Sequence, residues 1–418
     1  MYKIKGDITL PGDKSISHRA ALFSALNFRK SVFDNFNLNK DCAATLDILR
    51  NAGIDWELSG SRLIIRGKPL DDWKIDDKAL DAKNSGTTAR LMSGILSNLN
   101  FPTTLQGDDS LSKRPMKRVL DPLAMMGAKI SSENGHLPLK FSPAGMLKGI
   151  TYRLPVASAQ VKSALLLAGL YADGETNIIE PVRTRDHTER LIGLPSKQNP
   201  DGSQTITSSR NIKIPDISMM IPGDISSASF FIAAALMLPG SELIIRNVSL
   251  NPTRDGILRH LKKMNAKIEV DVRVKDPEPM GDLTVRYSKL QNAPIDIDII
   301  PNIIDEIPIL AVLGSQADGV FELNGAEELR YKESDRIKVM VENLESVGGK
   351  ALEKPDGMSI SGGQILRGGS VKSHGDHRIA MSFAIAGLVS KEKIIIDDPS
   401  SADVSFPQFW SILDRIVK

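Results

Sequence analysis

The chain has 418 residues, 41% of them hydrophobic, with 53 Lys and Arg against 51 Asp and Glu. At roughly 100–200 residues per domain, two domains or more are expected, and the apolar fraction excludes a disordered chain. No apolar run approaches the ~18–20 residues of a bilayer span, and a net charge of +2 with 5% aromatics argues against a nucleic-acid surface. The first residues lack the apolar stretch of a signal peptide, and the single cysteine, Cys42, has no partner for an internal disulfide. A cytoplasmic globular protein is expected, with no membrane and no nucleic-acid partner.

In chain order, six helix-like stretches run to a glycine, an asparagine or the last residue. They are Leu46–Gly53, Val119–Gly127, Thr188–Gly193, Ile257–Asn265, Met340–Gly348 and Phe409–Lys418, recurring about every 70 residues. In five of the six a strand pair is expected to follow. Alternation marks it clearly at residues 54–66, 129–141 and 267–287, and poorly after the third stretch. Between the pairs lie segments apolar on every side, at Ser163–Leu170, Ser229–Leu236, Ile309–Gly314 and Arg378–Gly387. Helices of that kind are buried ones. The pattern predicts an α/β (α+β) fold of two domains with three repeat units each, strand pairs outside and apolar helices inside.

Short polar stretches precede the apolar helices: Pro11-Gly-Asp-Lys-Ser-Ile-Ser-His-Arg19, Asn84-Ser-Gly-Thr-Thr-Ala-Arg90, Val156-Ala-Ser-Ala-Gln-Val-Lys162 and Gly223-Asp-Ile-Ser-Ser227. Each offers Ser, Asn or Asp where an N-cap belongs. A buried helix start has unpaired N–H groups and about half a positive charge, so it attracts anions. Parallel helices would gather several such ends. No nucleotide loop is present, because Gly12 is followed by Asp13 before Lys14 and Ser15, and Gly6 lies one residue too far away.

Cations cluster in the same stretches: Lys14, Arg19, Arg90, Arg114, Arg185, Lys332, Arg336 and Arg378. Arginine's planar fork suits carboxylate and phosphate oxygens, and lysine supplies a point charge or a transferable proton. Lys332 and Arg336, four apart, are expected on one helix face. Taken singly, each also reads as a solvated surface charge, Lys14 and Arg378 least so because each stands beside a polar helix start and an apolar helix. Asp305 and Glu306 stand in an apolar run, and Glu333 lies between Lys332 and Arg336. Such carboxylates suit general acid–base work; the plainer readings are an N-cap for Asp305 and a salt-bridge partner for Glu333. His374 and His377 lack any supporting metal-ligand spacing, so no metal site is expected. Cys42 reads as a buried, inert thiol.

These residues, together with Lys113-Arg-Pro, Ser158-Ala-Gln-Val-Lys-Ser-Ala, Thr184-Arg-Asp-His-Thr-Glu, Asp305-Glu-Ile-Pro, Arg330-Tyr-Lys-Glu-Ser-Asp-Arg336 and Asp376-His-Arg378, resemble the 5-enolpyruvylshikimate-3-phosphate synthase family, in its order, from residue 11 to Ser405-Phe-Pro407. The Ser-Ala-Gln-Val-Lys and Thr-Arg-Asp-His-Thr-Glu runs are similar to its class II subgroup. The resemblance implies a two-domain inside-out α/β barrel of six βαβαββ units, with residues 14–224 in one domain and 1–13 plus 225–418 in the other. It also implies an active site in the cleft between them. The implied substrates are shikimate 3-phosphate and phosphoenolpyruvate, and the reaction needs no metal or redox cofactor. A monomer is expected.

Position by position, the resemblance assigns shikimate 3-phosphate to Lys14, Ser15, Arg19, Ser158, Ala159, Gln160, Arg185, Asp305 and Lys332. Phosphoenolpyruvate falls to Lys14, Asn84, Gly86, Arg114, Gln160, Arg336 and Arg378. Asp305, Glu333 and Lys14 would be catalytic. Three departures stand out: Val404 replaces a lysine common in the family, Ala159 a second serine, and Gly86 an alanine found in some members. Gly86 leaves room beside the phosphoenolpyruvate site and implies sensitivity to glyphosate. The sister transferase acting on a UDP-amino sugar should carry a loop cysteine, in some members an aspartate, near residues 110–120, where this chain has no cysteine, and an Asn after the first lysine, where this chain has Ser15. An RNA-binding or RNA-end-processing protein of similar repeats would need more basic and aromatic surface.

Overall fold

The computed structural model of the chain describes residues 2–75 and 79–418. They form two compact units of nearly equal size, one of Gly12–Ile221 and one of Met1–Pro11 with Pro222–Lys418.

In the first unit three apolar helices occupy the middle: Lys14–Ala25, Gly86–Leu96 and Ala159–Gly169. Each is buried on nearly all sides, as a helix without a polar face must be. The second and third approach backbone to backbone. A Cβ on Gly94 would lie 2.0 Å from the Ala164 carbonyl oxygen, so only glycine fits there. Three four-stranded sheets accompany them. Their strand orders are Met219–Met220, Lys30–Asp34, Arg62–Arg66, Asp55–Ser59; then Leu80–Asp81, Thr103–Gln106, His136–Ser142, Lys129–Glu133; then Thr151–Arg153, Thr176–Glu180, Gln204–Ser208, Ser196–Gln198. In each, the first pair is parallel and the other two pairings are antiparallel. The hairpin that alternation marked poorly is therefore present but short, its first strand spanning only Ser196–Gln198.

The second unit repeats the plan around helices Ile225–Met237, Ile307–Gln316 and His377–Ala386. Its four-stranded sheet takes its edge from the chain's own start: Lys5–Thr9 pairs in parallel with Glu242–Ser249, followed by Met280–Arg286 and Lys267–Val274. A three-stranded sheet (Val320–Leu323, Gly357–Ser361, Ala351–Lys354) and a two-stranded one (Gly369–Val371, Ile394–Ile396) complete it.

Five of the six expected helix ends fall on residues in the left-handed region: Gly53, Gly127, Gly193, Asn265 and Gly348 have φ between +65° and +97°. That conformation stops a helix and suits Gly or Asn. Each unit encloses its own core, around Phe23, Leu49, Leu105 and Leu166 in the first and Phe231, Leu310, Val312 and Phe383 in the second. Buried side chains of this size contribute about 1.5–3 kcal/mol apiece. Among the described residues no helix is long and apolar enough to cross a membrane.

Candidate active site

The site is built from helix starts. In the first unit Asp13 accepts from the Ile16 N–H at 2.9 Å, Ser85 from Thr88 at 3.2 Å and Ser158 from Val161 at 3.4 Å. Each cap satisfies one donor and leaves others at the same tip. The three tips lie together. Gln160 Nε2 donates to Thr87 Oγ1 at 3.0 Å, Arg90 Nη1 donates to Gln160 Oε1 at 3.1 Å, and Arg19 Nη2 donates to Ser163 Oγ at 2.8 Å. The convergence of positive helix ends expected from the polar stretches is thus realised within this unit.

The side chains divide into two groups. Asn84 donates to both oxygens of Asp108 (3.1 and 2.8 Å) and accepts from Arg114 Nη2 at 2.9 Å. Gly86 begins its helix beside them: an added Cβ would meet Arg90 Nη1 at 2.6 Å, with Arg114 Nη1 at 3.8 Å. In the other group Lys14 pairs with Asp41 at 3.0 Å, and Arg185 Nη1 donates to Ser15 Oγ at 3.2 Å. Arg19 is buried. Its Nε donates to Thr188 Oγ1 at 2.8 Å and its Nη1 to the Ser15 carbonyl at 3.0 Å. Ala159 opens its helix, and its carbonyl accepts from Ser163 Oγ at 2.6 Å. Cys42 is buried, with its Sγ 3.8 Å from the Lys14 carbonyl oxygen.

A buried relay of hydroxyls underlies these tips. His18 Nδ1 lies 2.8 Å from Thr45 Oγ1, which lies 2.7 Å from Thr88 Oγ1, and Thr88 donates to Ser85 Oγ at 2.6 Å. Burial pushes the His18 imidazole down to about 3, below its ordinary 6.5; the Asp41 charge opposes this and the Lys14 charge adds to it, each by less. The ring is neutral at pH 7.

The second unit assembles acids and bases. Arg336 is 1% exposed; its Nε donates to Asp376 Oδ2 at 2.8 Å and its Nη2 to Glu333 Oε2 at 2.6 Å. Arg336 Nη1 also lies 3.5 Å from Asp305 Oδ1. Arg378 Nη1 donates to the Asp305 carbonyl at 2.8 Å, and its Nη2 is 3.7 Å from the Asp305 carboxylate. Burial alone would weaken the Arg336 charge, but Asp376, Glu333 and Asp305 outweigh it and hold the guanidinium protonated. Asp305, Glu333, Arg336 and Arg378 therefore meet around one buried cation.

Two details differ from the sequence expectation. Lys332 and Arg336 do not share a helix face. The helix begins at Arg336, capped by Asp335, which accepts from the Lys338 N–H at 3.1 Å. Lys332 lies in the preceding extended turn, where i,i+4 geometry does not apply. Nor is Asp305 an N-cap; Glu306 occupies that position, without a side-chain cap bond, because its carboxylate is turned inward to Ser226. Burial raises the Glu306 carboxyl, while Arg254, 3.8 Å away, and Arg378 lower it. Glu333 does pair with Arg336, although it stands outside the helix.

Sequence reasoning assigned no role to several partners that hold the site: Asp41, Asp108, Thr188, Asp376 and the buried set Lys162, Glu180 and Glu189. Asp376 had a local signal, since it precedes an apolar helix where a cap belongs. Asp41 and Asp108 had none, because their partners lie 27 and 24 residues away.

Comparison with known proteins identifies the family. The family model for EPSP synthase (3-phosphoshikimate 1-carboxyvinyltransferase) matches residues 1–413. The 3-phosphoshikimate 1-carboxyvinyltransferase of Alkaliphilus metalliredigens is 47% identical over 419 residues, covering 100% of this chain and 98% of that one. The Bacillus subtilis protein of the same name is 44% identical over 419 residues, covering 99% and 98%. The solved structure of EPSP synthase from Acinetobacter baumannii superposes with a TM-score of 0.88 at 39% identity, covering 100% of this chain and 97% of its own. The chain belongs to the EPSP synthase (3-phosphoshikimate 1-carboxyvinyltransferase) family.

Proposed function

We propose that the chain transfers the enolpyruvyl group of phosphoenolpyruvate to the 5-hydroxyl of shikimate 3-phosphate and releases phosphate, the 3-phosphoshikimate 1-carboxyvinyltransferase reaction of aromatic amino-acid biosynthesis (EC 2.5.1.19). Family membership over nearly the whole chain supports the activity. The observation that carries the site assignment is the arrangement around Arg336, where two carboxylates that can exchange protons, Asp305 and Glu333, stand against one buried cation.

The two substrates together carry about six negative charges near neutrality. In this reading Arg114, Asn84, the Gly86 helix start, Gln160, Arg336 and Arg378 receive phosphoenolpyruvate. Ser15, Ser158, Ala159, Gln160, Arg185 and Lys332 receive shikimate 3-phosphate. Lys14 reaches both. Arg19, buried against Ser15, Ser163 and Thr188, supports this reading best as the group that sets the Ser15 backbone. Asp305 takes the proton of the attacking hydroxyl as its oxygen adds to the substituted carbon of phosphoenolpyruvate, and the methylene carbon gains a proton. Elimination then returns a proton from that carbon as phosphate leaves, with Glu333 and Lys14 handling both transfers. Holding the two anions in attack geometry accounts for much of the acceleration.

The fourfold recurrence of one strand order favours six βαβαββ units, three per unit, in an inside-out barrel. We place the enzyme in the cytoplasm as a monomer, in keeping with its lone buried cysteine. The test is phosphate release from the two substrates by the wild type, Asp305→Ala and Lys14→Met. A fall of about 10²–10⁴ in kcat for Asp305→Ala is expected; equal turnover by all three proteins would overturn the assignment.

A further inference from the structure

The first unit buries an ionic cluster that the reaction above does not use. Lys162 is 0% exposed, and its Nζ lies 2.6 Å from Glu180 Oε2 and 2.6 Å from Glu189 Oε1. The three residues come from three elements: the Ala159–Gly169 helix, the end of the Thr176–Glu180 strand and the His187–Ile192 helix. Between the last two runs the segment 181–186, which carries Arg185.

Glu180 holds that segment directly. Its second oxygen, Oε1, accepts from the Thr184 N–H at 2.7 Å and from Thr184 Oγ1 at 2.8 Å. Thr184 is the residue before Arg185, whose guanidinium reaches Ser15 Oγ at 3.2 Å. Lys162 thus fixes Glu180, Glu180 fixes Thr184, and Thr184 sets where Arg185 begins. Another brace on the segment, Asp186 with Arg183 (2.8 Å) and Arg190 (2.9 Å), is partly solvated on the arginine side. Ion pairs screened by water are weak; a fully desolvated, hydrogen-bonded one is stiff. Burial works against the Lys162 charge, but Glu189 and Glu180 outweigh it and keep the ammonium protonated. Burial likewise pushes the Glu189 carboxyl up, against the pull of Lys162.

We infer that Lys162 and Glu180 are positioning residues for shikimate 3-phosphate: they set the Arg185 guanidinium through Thr184 and so determine affinity for that substrate rather than for phosphoenolpyruvate. The inference rests on the proposed role of Arg185. Lys162 lies one turn beyond the Ser158 cap, so the same helix presents polar groups at its tip and anchors the Arg185 segment from its interior.

Steady-state phosphate release with each substrate varied in turn tests it, on wild type, Arg185→Ala, Thr184→Val, Lys162→Met and the double variant Lys162→Met/Arg185→Ala. The expected result is a rise of about fivefold in KM for shikimate 3-phosphate in Thr184→Val and Lys162→Met, with KM for phosphoenolpyruvate changed less than about twofold. The double variant should be no worse than Arg185→Ala alone. A general loss of packing would instead lower the active fraction and leave both KM values alone. Should Lys162→Met fail to fold, Thr184→Val and Glu180→Gln carry the same comparison. Unchanged KM for shikimate 3-phosphate in these variants, equal rises for both substrates, or multiplicative effects in the double variant overturn the inference. If Arg185→Ala itself leaves that KM unchanged, the role of Arg185 falls, and this inference with it; an inactive wild type removes the activity reading instead.

Discussion

The two units are built on one plan and hold their charges differently. At the helix tips of the first, the contacts of the arginines include amides and hydroxyls, Arg114 with Asn84, Arg185 with Ser15, Arg19 with Ser163 and Thr188, while Lys14 pairs with the Asp41 carboxylate. At those of the second, Arg336 is met by three carboxylates, Asp376, Glu333 and Asp305. Neutral partners orient a cation and leave its charge for an incoming anion. Carboxylate partners cancel the charge but hold proton acceptors in place. On the proposed assignment, the first unit's helix tips would grip polyanions and the second unit's carboxylates would move protons.

The strongest way to break this contrast is to remove the cation the acids depend on. Arg336→Met strands the buried Asp376 carboxylate and should cost the second unit about 3–5 kcal/mol. Denaturant unfolding followed by hydrogen exchange resolves the two units, and a loss below about 1 kcal/mol would show that the carboxylates do not need it.

Acid separates the units next. His18 is neutral when folded, its pKa pushed down to about 3 by burial, while an unfolded chain takes up a proton near 6.5. The unfolded state therefore binds more protons below that value, and stability falls as pH drops. The loss from this group is about 2 kcal/mol at pH 5. His18→Asn should remove that slope from the first unit's exchange rates. The second unit, whose buried His260 is held down to about 4, should keep its own slope.

A smaller change tests the anion grip. Arg114→Ala should raise KM for phosphoenolpyruvate about tenfold with a lesser effect on kcat, because the charge acts on binding. The smallest is Gly86→Ala. The added methyl meets the end of the Arg90 side chain, which can give way, so KM for phosphoenolpyruvate should rise about threefold. Inhibition by glyphosate, measured at limiting phosphoenolpyruvate, should weaken in parallel.

Local chemistry is legible in the sequence. Helix-stopping Gly53, Gly127, Gly193, Asn265 and Gly348, the capping Asp13, Ser85, Ser158 and Asp224, and the apolar inner helices each depend on residues a few positions apart. Periodicity and capping are properties of a single turn, so they survive in one dimension. The weak third hairpin was hard to read because its first strand is three residues long and fully exposed, so it shows no alternation.

What only tertiary structure decided is which charge meets which. Lys14 finds Asp41, Arg19 finds Thr188, Arg336 finds Asp376, and Lys162 finds Glu180 and Glu189, across separations of 18 to 169 residues. The expected Lys332–Arg336 face was lost because the helix starts at Arg336, capped by Asp335, with Lys332 before it. The sequence determined the folding units and the tips on which charge would collect; packing decided which cations stay positive toward a ligand and which are matched by acids, because that depends on distance and burial between segments remote along the chain.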